Sequence, residues 1–432
     1  MKLFGTMNVI DNTLHIGGQN AVDLANEYGT PLYVIDEKLV RQNCRRYINS
    51  FKGLKGKNKV AYAGKAFLPK AMCQIINEEG LNLDVVSGGE LYTAYKSNFP
   101  MERVIFHGNN KTVEEIKMGL NLGVGTFVVD SLYEIEKINE IGKQKSKKQK
   151  ILMRITPGIE AHTHDYIKTG QIDSKFGFTM VENSILEMIK KVISFENINL
   201  IGFHCHIGSQ IFDIEPYEDC AEIMMDLIKR VKDELNYEIK ELDLGGGFGI
   251  YYSKGDKPKE IEEYCEVILN KIEVKCKELN MEEPKLTIEP GRSIIGNAGT
   301  TLYKIGAIKE IPNVRKYVAV DGGMTDNIRP ALYKSQYECC IANNFKNINN
   351  KEVTICGKCC ESGDILIEDT NISEAKSDDI LAVSSTGAYC YSMSNNYNKI
   401  PKAAVALVKD GESKIICKRQ TYEDIIKNEI AL

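Results

Sequence analysis

The sequence lacks several features that would place it in a specialised class of protein. No apolar run reaches the roughly 18 residues of a membrane span, so a membrane protein is not expected. The 55 Lys and Arg residues are outnumbered by 60 Asp and Glu residues, which argues against a broad basic surface for nucleic acid. The first ten residues have no long apolar segment, so we expect no secretory signal and a cytoplasmic location. Hydrophobic residues make up 43% of the 432 residues, which excludes a mostly disordered chain.

The thirteen cysteines are spread along the chain from Cys44 to Cys417, and their number is odd. Without an export signal, this pattern favours reduced and mostly buried thiols. Cys356, Cys359 and Cys360 include one C-x-x-C spacing, which would suit a redox pair or half of a zinc site. No second pair accompanies it, and a single thiol acting as a proton donor is equally compatible.

Short β-type runs alternate with longer helix-type segments over roughly the first two thirds of the sequence. A first run at 32–35 precedes eight more, at 58–63, 82–86, 103–107, 125–129, 150–156, 199–205, 238–244 and 284–289. Segments between them, such as 184–192 and 221–235, carry apolar residues at i, i+3 and i+4. Strands that alternate with helices predict a parallel sheet, and eight such units are the number of a (β/α)8 TIM-type barrel. An open doubly wound sheet is the alternative, because periodicity does not show closure.

Beyond residue 298 the pattern changes to short apolar runs separated by Gly, Asn and Asp. These runs lie at 300–308, 315–321, 353–356, 364–368, 379–384 and 403–408. They predict a mostly antiparallel β domain or barrel. A strand-like piece near the N-terminus could join it. We therefore predict a barrel domain at 36–298 and a β domain formed by 1–35 together with 299–432.

Chemically unusual residues lie at the same position relative to each predicted barrel strand, at or directly after its carboxyl end. They are Lys65, the SGGE run at 87–90, the HGNN run at 107–110, Asp130, Arg154, the HCHIGS run at 204–209, the GGGFG run at 245–249, and the EPGR run at 289–292. In a barrel these positions meet at the C-terminal rim, where barrel active sites lie. A chance distribution would scatter them between both rims, so the common phase predicts an active site.

Three of these motifs together suggest a phosphorylated aldehyde cofactor. Four glycines in the five residues 245–249 favour a phosphate-binding loop, because a tight turn alone would need only one or two. Most lysines at strand ends are ordinary surface charges, but Lys65 at a desolvated rim could be a Schiff-base nucleophile. Glu289 ends a buried strand and must have a partner, either Arg292 or a protonated ligand nitrogen. The combination predicts pyridoxal 5′-phosphate.

A metal site is the competing interpretation of the histidines. His204 and His206 occupy alternate positions of a strand, so both could ligate one zinc ion. Neither a helical HExxH motif nor paired C-x-x-C motifs accompany them. We favour a cofactor-stacking role for His206 and predict no metal.

Motifs along nearly the whole chain resemble the diaminopimelate decarboxylase family, within the alanine-racemase-like class of pyridoxal phosphate enzymes. They include YAGKAF at 62–67, HTHDYIKTGQIDSKFGF at 162–178, HCHIGSQI at 204–211, LDLGGGFGI at 242–250, EPGRSI at 289–294, DNIRPALY at 326–333 and CESGD at 360–364. The resemblance implies a cofactor-binding barrel followed by a β domain, assembled as a homodimer with shared active sites. It implies decarboxylation of meso-2,6-diaminopimelate to L-lysine and CO2, the last step of lysine biosynthesis. The alternative is another decarboxylase of the same class, acting on ornithine, arginine or carboxynorspermidine.

The resemblance also implies roles for individual residues. As catalytic residues, Lys65 would bind the cofactor aldehyde, His206 would stack on the pyridine ring, Glu289 would keep the ring nitrogen protonated, and Cys360 would protonate the carbanion from the partner subunit. Further cofactor contacts are expected from Ser209, Gly245, Gly246, Gly247, Gly291, Arg292 and Tyr389. Substrate contacts are expected from Arg292, Arg329 and Tyr333 at the distal carboxylate, from Glu361 at the distal ammonium, and from Tyr389.

Overall fold

The computed structural model describes residues 1–53, 56–158, 174–180, 184–346 and 348–432. The chain divides into two units. The barrel unit comprises Asn43–Gly249 and Pro258–Gly291, and the sheet unit comprises Met1–Gln42, Ile250–Lys257 and Arg292–Leu432. The boundaries at 36 and 298 drawn from the sequence stay a prediction.

The N-terminal segment supplies four strands and two helices. They are β1 (Asn8–Ile10), β2 (Thr13–Ile16), β3 (Gln19–Asn20), α1 (Ala21–Tyr28), β4 (Leu32–Asp36) and α2 (Glu37–Ser50). The first three strands form a small sheet of their own. Asn20 begins α1 as its N-cap, because its side chain accepts a hydrogen bond from the backbone of Val22. All five residues of β4 are buried, as expected for a strand in the middle of a sheet.

Eight parallel strands close into a barrel in the second unit. In chain order they are β5 (Lys59–Ala63), β6 (Asn82–Val85), β7 (Val104–Phe106), β8 (Thr126–Val129), β9 (Gln149–Thr156), β11 (Ile198–His204), β12 (Glu241–Asp243) and β13 (Lys285–Ile288). The two-residue strand β10 (Phe178–Thr179) pairs with β9 but lies outside the ring. Each strand pairs with the next, and β13 pairs with β5, which closes the ring. The predicted barrel is therefore confirmed over the open sheet.

Helices follow the barrel strands in the described part of the chain. They are α3 (Lys70–Glu78), α4 (Gly88–Lys96), α5 (Val113–Leu122), α6 (Leu132–Gln144), α7 (Ser184–Ile193), α8 (Glu215–Leu235) and α9 (Ile261–Glu278). Ser87, Thr112 and Ser131 cap three of them by accepting hydrogen bonds from backbone N–H groups of the first turn. These caps end the loop that leaves each strand, which places the strand ends and the helix starts at the same rim.

The remaining strands form the main sheet of the sheet unit. They are β14 (Gly299–Ile311), β15 (Arg315–Val320), β16 (Cys339–Ile341), β17 (Ile348–Cys356), β18 (Ile365–Ser373), β19 (Ile380–Val383), β20 (Ala404–Lys409) and β21 (Glu412–Cys417), with short helices α10 (Arg292–Ile295), α11 (Arg329–Tyr333) and α12 (Tyr422–Ile426). The sheet order is β18-β17-β15-β14-β4-β20-β21, and β19 also pairs with β14. Most pairs are antiparallel, which confirms the predicted β domain. Across the described residues, we find no helix that is both long and apolar enough to cross a bilayer.

Candidate active site

Polar side chains from several barrel strands meet at the carboxyl end of the barrel. Glu289 follows β13, His107 follows β7, and His204 ends β11. The Nε2 atom of His107 lies 2.6 Å from Oε1 of Glu289, and the Nε2 atom of His204 lies 3.3 Å from Oε2. All three residues are buried. The motifs that share a phase in the sequence therefore do converge, as the barrel prediction requires.

The partners of Glu289 differ from those considered from the sequence. The alternatives were Arg292 or a ligand nitrogen, whereas the structure pairs Glu289 with the two histidines and places Asp243 beside it. Sequence reasoning missed His107 in this role. The available signal was the position of His107 directly after a strand, in phase with the other site residues.

The electrostatics of this group fix which members carry charge. Burial lowers the pKa of His107, but the carboxylates of Asp84 and Glu289 outweigh it and raise that pKa above its ordinary value. Burial raises the pKa of Glu289, yet His107 and His204 hold it well below its ordinary value. Burial lowers the pKa of His204 to about 3. These shifts favour the anionic form of Glu289, the cationic form of His107 and the neutral form of His204.

The same three residues offer donor atoms that all lie within 4.8 Å of one another. Two imidazole nitrogens and a carboxylate are a ligand set that zinc accepts. The proton held between His107 and Glu289 competes with a metal for the same atoms, because a ligating imidazole nitrogen must be deprotonated. The absence of a metal stays a prediction.

Lys65 lies directly after β5, in a single turn of 3-10 helix at Gly64–Ala66. Its side chain is exposed, although both neighbours are buried. Burial raises the pKa of the nearby Asp84 carboxyl to about 6, against the opposing charges of His107 and Lys65. A lysine beside acidic groups, on a turn fixed by buried neighbours, is available to a ligand at the rim.

The glycine loop approaches its neighbours too closely for any side chain. A Cβ on Gly245 would lie 2.6 Å from the backbone oxygen of Cys205, and a Cβ on Gly246 would overlap the backbone oxygen of Glu289. Gly245 and Gly247 also have positive φ angles, of 65° and 101°. The loop therefore presents bare backbone, as a phosphate cradle requires.

His206 contacts this loop. The backbone N–H of Gly246 donates a hydrogen bond of 3.2 Å to Nδ1 of His206, so Nδ1 is unprotonated and the ring hydrogen is on Nε2. Burial lowers the pKa of His206 well below its ordinary value, and the charges of Lys65 and Arg154 lower it further. The ring is neutral, which suits stacking on a cofactor without competition for its proton.

Ser209 and Gly291 complete the predicted cofactor group in the barrel unit. Ser209 is half-buried in the loop after β11, on the same rim. A Cβ on Gly291 would lie 2.9 Å from Cβ of Ala63 at the end of β5. The last loop of the barrel therefore packs directly against the strand that precedes Lys65.

A second group of predicted residues lies in the sheet unit, around two buried arginines. Nη1 of Arg292 donates to the hydroxyl of Tyr252 over 2.5 Å, and Nε of Arg329 donates to the hydroxyl of Tyr337 over 2.9 Å. Both guanidinium groups lie over the ring of Tyr389, at 4.7 and 5.7 Å from its centroid. Both also lie 5.6 Å from the ring centroid of Tyr252. The arginines are therefore held in place by aromatic faces.

Two further features of this group add to the sequence-based picture. Arg329 lies 5.4 Å from the ring centroid of Tyr333, so Tyr333 does belong to the cluster. Tyr389 has a φ of 64°, a left-handed conformation that is rare for a bulky residue and is stored strain at a functional site. Sequence reasoning missed Tyr252 and Tyr337, which no motif marks.

Cys360 and Glu361 lie on the loop between β17 and β18, and both side chains are exposed. The buried carboxylate of Asp364 fixes this loop, because it accepts hydrogen bonds from the backbone of Met324 at 2.6 Å and of Cys359 at 2.8 Å. The backbone of Cys360 donates to the side chain of Asn398 over 2.8 Å. The loop thus presents a thiol and a carboxylate outward on a fixed backbone. The motif residues 162–173 lie outside the described residues.

The barrel group fits pyridoxal phosphate by the chemistry of its donors. Bare backbone at 245–247 suits the phosphate, the amine of Lys65 suits the aldehyde, and the anionic Glu289 suits a protonated ring nitrogen. The neutral ring of His206 adds a face for stacking.

Comparisons with known proteins agree with this geometry. A family model described as "Pyridoxal-dependent decarboxylase, pyridoxal binding domain" matches residues 37–296. Diaminopimelate decarboxylase of Bacillus subtilis (strain 168) is 51% identical over 96% of this chain and 95% of its own, and that of Bacillus methanolicus is 50% identical over 97% and 98%. The crystal structure of diaminopimelate decarboxylase from M. jannaschii in complex with L-lysine is 37% identical, with a TM-score of 0.93 over 99% of this chain and 98% of that one. The chain belongs to the diaminopimelate decarboxylase family of pyridoxal-dependent decarboxylases, and its cofactor is pyridoxal 5′-phosphate.

Proposed function

We propose that this protein decarboxylates meso-2,6-diaminopimelate to L-lysine and CO2, the last step of lysine biosynthesis. The observation that carries the substrate assignment is the pair of buried guanidinium groups, Arg292 and Arg329, held among tyrosine rings. A planar guanidinium grips a carboxylate through two parallel hydrogen bonds. Diaminopimelate has a second carboxylate at its distal end, which these residues recognise.

The alternative substrates fit this cluster less well. Ornithine, arginine and carboxynorspermidine carry a cationic distal group, which would be repelled by two arginines and would need acidic partners. Arg329 remains charged throughout the working pH range, because tyrosine hydroxyls hold its pKa above the ordinary value against the effect of burial. The charge of the cluster therefore favours an anionic distal group.

In the barrel unit, each residue has a role toward the cofactor. Bound pyridoxal phosphate supplies an electron sink for the carbanion left when CO2 departs. Lys65 would hold the aldehyde carbon, and the backbone at 245–247, with Ser209 and Gly291, would hold the phosphate. Glu289, whose pKa is low, would keep the proton on the ring nitrogen, and the neutral His206 would cover the ring face.

We propose further that two copies share their active sites, in the cytoplasm. Cys360 donates the proton to the carbanion carbon of the partner's substrate, and Glu361 binds the distal ammonium there. Support comes from the loop, which is rigid yet leaves both side chains exposed in a single chain. The thirteen cysteines all lie among the described residues and form no disulfide there, which suits a reducing compartment.

Spectra and product assays test the reaction. The purified protein should absorb visible light through its bound cofactor and should release CO2 from meso-diaminopimelate but not from ornithine or arginine. Lys65→Ala should lose the absorbance band of the lysine-bound cofactor, whereas Lys70→Ala, at an exposed lysine nearby, should keep it. Release of CO2 from ornithine at a comparable rate would overturn the substrate assignment.

Subunit mixing tests the shared sites. Lys65→Ala and Cys360→Ala proteins should each be inactive, and a mixed preparation should regain about a quarter of full activity, since a random half of the dimers would hold one intact site. No recovery, in a mixture shown to contain heterodimers, would contradict the proposal.

A further inference from the structure

His107 is a buried titratable residue to which the proposed chemistry gives no role. It follows β7, where its backbone N–H donates to the backbone oxygen of Val85 over 2.8 Å. Its side chain therefore projects from a fixed strand end. Nε2 lies 2.6 Å from Oε1 of Glu289 and 3.7 Å from Oδ1 of Asp84. One imidazole thus faces two buried carboxyl groups that come from two other strands.

Charged and titratable groups from several barrel strands surround His107 and Glu289. Asp243 on β12 interacts with Glu289, and burial raises the pKa of Asp243 well above its ordinary value, which favours its neutral form. Asp84 on β6 and Glu289 after β13 are acidic, Arg154 on β9 is basic, and His204 on β11 contacts the ring edge-on at a centroid distance of 4.8 Å. Arg154 has its own acidic partner, because its Nε lies 3.9 Å from Oδ1 of Asp130. His107 is therefore the cation in direct hydrogen-bond contact with Glu289.

His204 contacts the other oxygen of Glu289 but differs in charge. Its pKa of about 3 leaves the imidazole of His204 neutral between pH 5.5 and pH 8. It donates a hydrogen bond without bringing a positive charge. The two histidines therefore form a matched pair on one carboxylate, one charged and one neutral.

We propose that His107 is a positioning residue for the cofactor: its proton keeps Glu289 ionised and aimed, so that Glu289 can hold the proton of the ring nitrogen. This inference rests on the proposed role of Glu289. Without the cation, burial would favour the protonated form of Glu289, which cannot accept the ring proton. His107 acts through Glu289 and needs no contact with the substrate.

The test is the affinity of the cofactor-free full-length protein for pyridoxal phosphate at several pH values. His107→Gln keeps a hydrogen-bond donor but removes the charge. An opposite charge at this distance shifts a carboxyl pKa by about 1–3 units, so its loss raises the pKa of Glu289 by a similar amount. As pH falls, a growing fraction of Glu289 then becomes protonated. The dissociation constant of the variant, relative to wild type, should rise steadily as the pH falls from 8 to 5.5, by about twofold at the pH where half of Glu289 is protonated.

His204→Gln is the matched control, because it replaces a neutral donor on the same carboxylate by another neutral donor. Its dissociation constant relative to wild type should be independent of pH over the same range, because no charge is lost. All proteins are treated with a chelator first, so that a metal on the histidines does not contribute. Comparison with wild type at each pH removes the ionisation of the free cofactor.

The outcomes separate this inference from its alternatives. A loss of affinity that is the same at every pH would show a merely structural role and would overturn the proposal, as would no loss at all. A different result would contradict the proposed function rather than the role of His107. In that case the wild-type protein would bind pyridoxal phosphate but would lack the visible absorbance band that depends on Lys65.

A second variant keeps the test decisive if His107→Gln folds poorly. His107→Asn also removes the charge and keeps a hydrogen-bond donor, so its affinity relative to wild type should fall in the same way as the pH is lowered. A loss of affinity that does not depend on pH would contradict the proposal.

Discussion

Replacement of Arg329 by glutamine tests substrate recognition most directly. Arg329 is 8% exposed, and the described residues engage two of its N–H groups, through Tyr337 at 2.9 Å and Ser335 at 3.3 Å. A guanidinium has five such donors, so it can add a paired contact to a carboxylate. Hydrogen bonds to charged groups contribute about 1.5–3 kcal/mol each, and the loss of a pair costs about 3 kcal/mol or more. The kcat/KM for diaminopimelate should therefore fall at least about a hundredfold.

The assay is the steady-state release of CO2, with the visible absorbance of the bound cofactor as a check on the barrel unit. Arg315→Gln is a suitable control, since Arg315 also lies over a tyrosine ring, at 6.0 Å from the centroid of Tyr317, but at a partly exposed position. Arg329→Lys keeps the charge without the forked geometry and should fall between the two. A kcat/KM of Arg329→Gln within about threefold of wild type would refute the proposed recognition of the distal carboxylate by Arg329. Loss of two hydrogen bonds to a charged group should lower kcat/KM by more than about threefold.

Two further predictions concern the cofactor cradle and the stability of the sheet unit. Gly246→Ala should weaken cofactor binding at least about tenfold, because its Cβ would overlap the backbone oxygen of Glu289. Gly89→Ala is the control and should not weaken binding, since a Cβ there meets nothing nearer than 3.8 Å. Equal affinities of the two variants in a spectroscopic titration would contradict this prediction. Burial raises the pKa of Asp326 to about 7, so the native protein keeps a proton that the unfolded chain loses above about pH 4. The free energy of unfolding should then decrease as pH rises from 4 to 7, by about 4 kcal/mol at most from this group, and stay level above. Asp326→Asn should flatten that dependence in calorimetry, and an unchanged slope would argue against it.

The strand pattern was readable from the sequence, because each barrel strand is a short apolar run with a polar turn at its end. All eight runs overlap the observed strands. The strands β16 and β21 were missed, because β16 has only three residues and the six residues of β21 are of mixed character. Closure of the barrel was not readable either, because it depends on the pairing of β8 with β9 and of β13 with β5.

The candidate site was only partly predictable, for a related reason. Lys65, the glycine loop and Glu289 were found from their residue types and positions. The contact between His107 and Glu289 joins residues far apart in sequence, and it depends on the register of strands that periodicity does not give. The roles of Tyr252 and Tyr337 were likewise hidden, because each is an ordinary tyrosine until the fold places it against an arginine.

The position of β4 in the main sheet has a consequence for synthesis of the protein. β4 lies between β14 and β20, and Leu32 of β4 pairs with Ala404 of β20. β4 is synthesised early, but it cannot pair with β20 until the ribosome has made residues near the end of the chain. At about 5–20 residues per second, the ribosome takes roughly 20 to 75 seconds between the two. The barrel strands are all made within that interval and can close first. Until β20 arrives, β4 is an apolar strand with an open edge, which is an aggregation hazard for nascent or truncated chains.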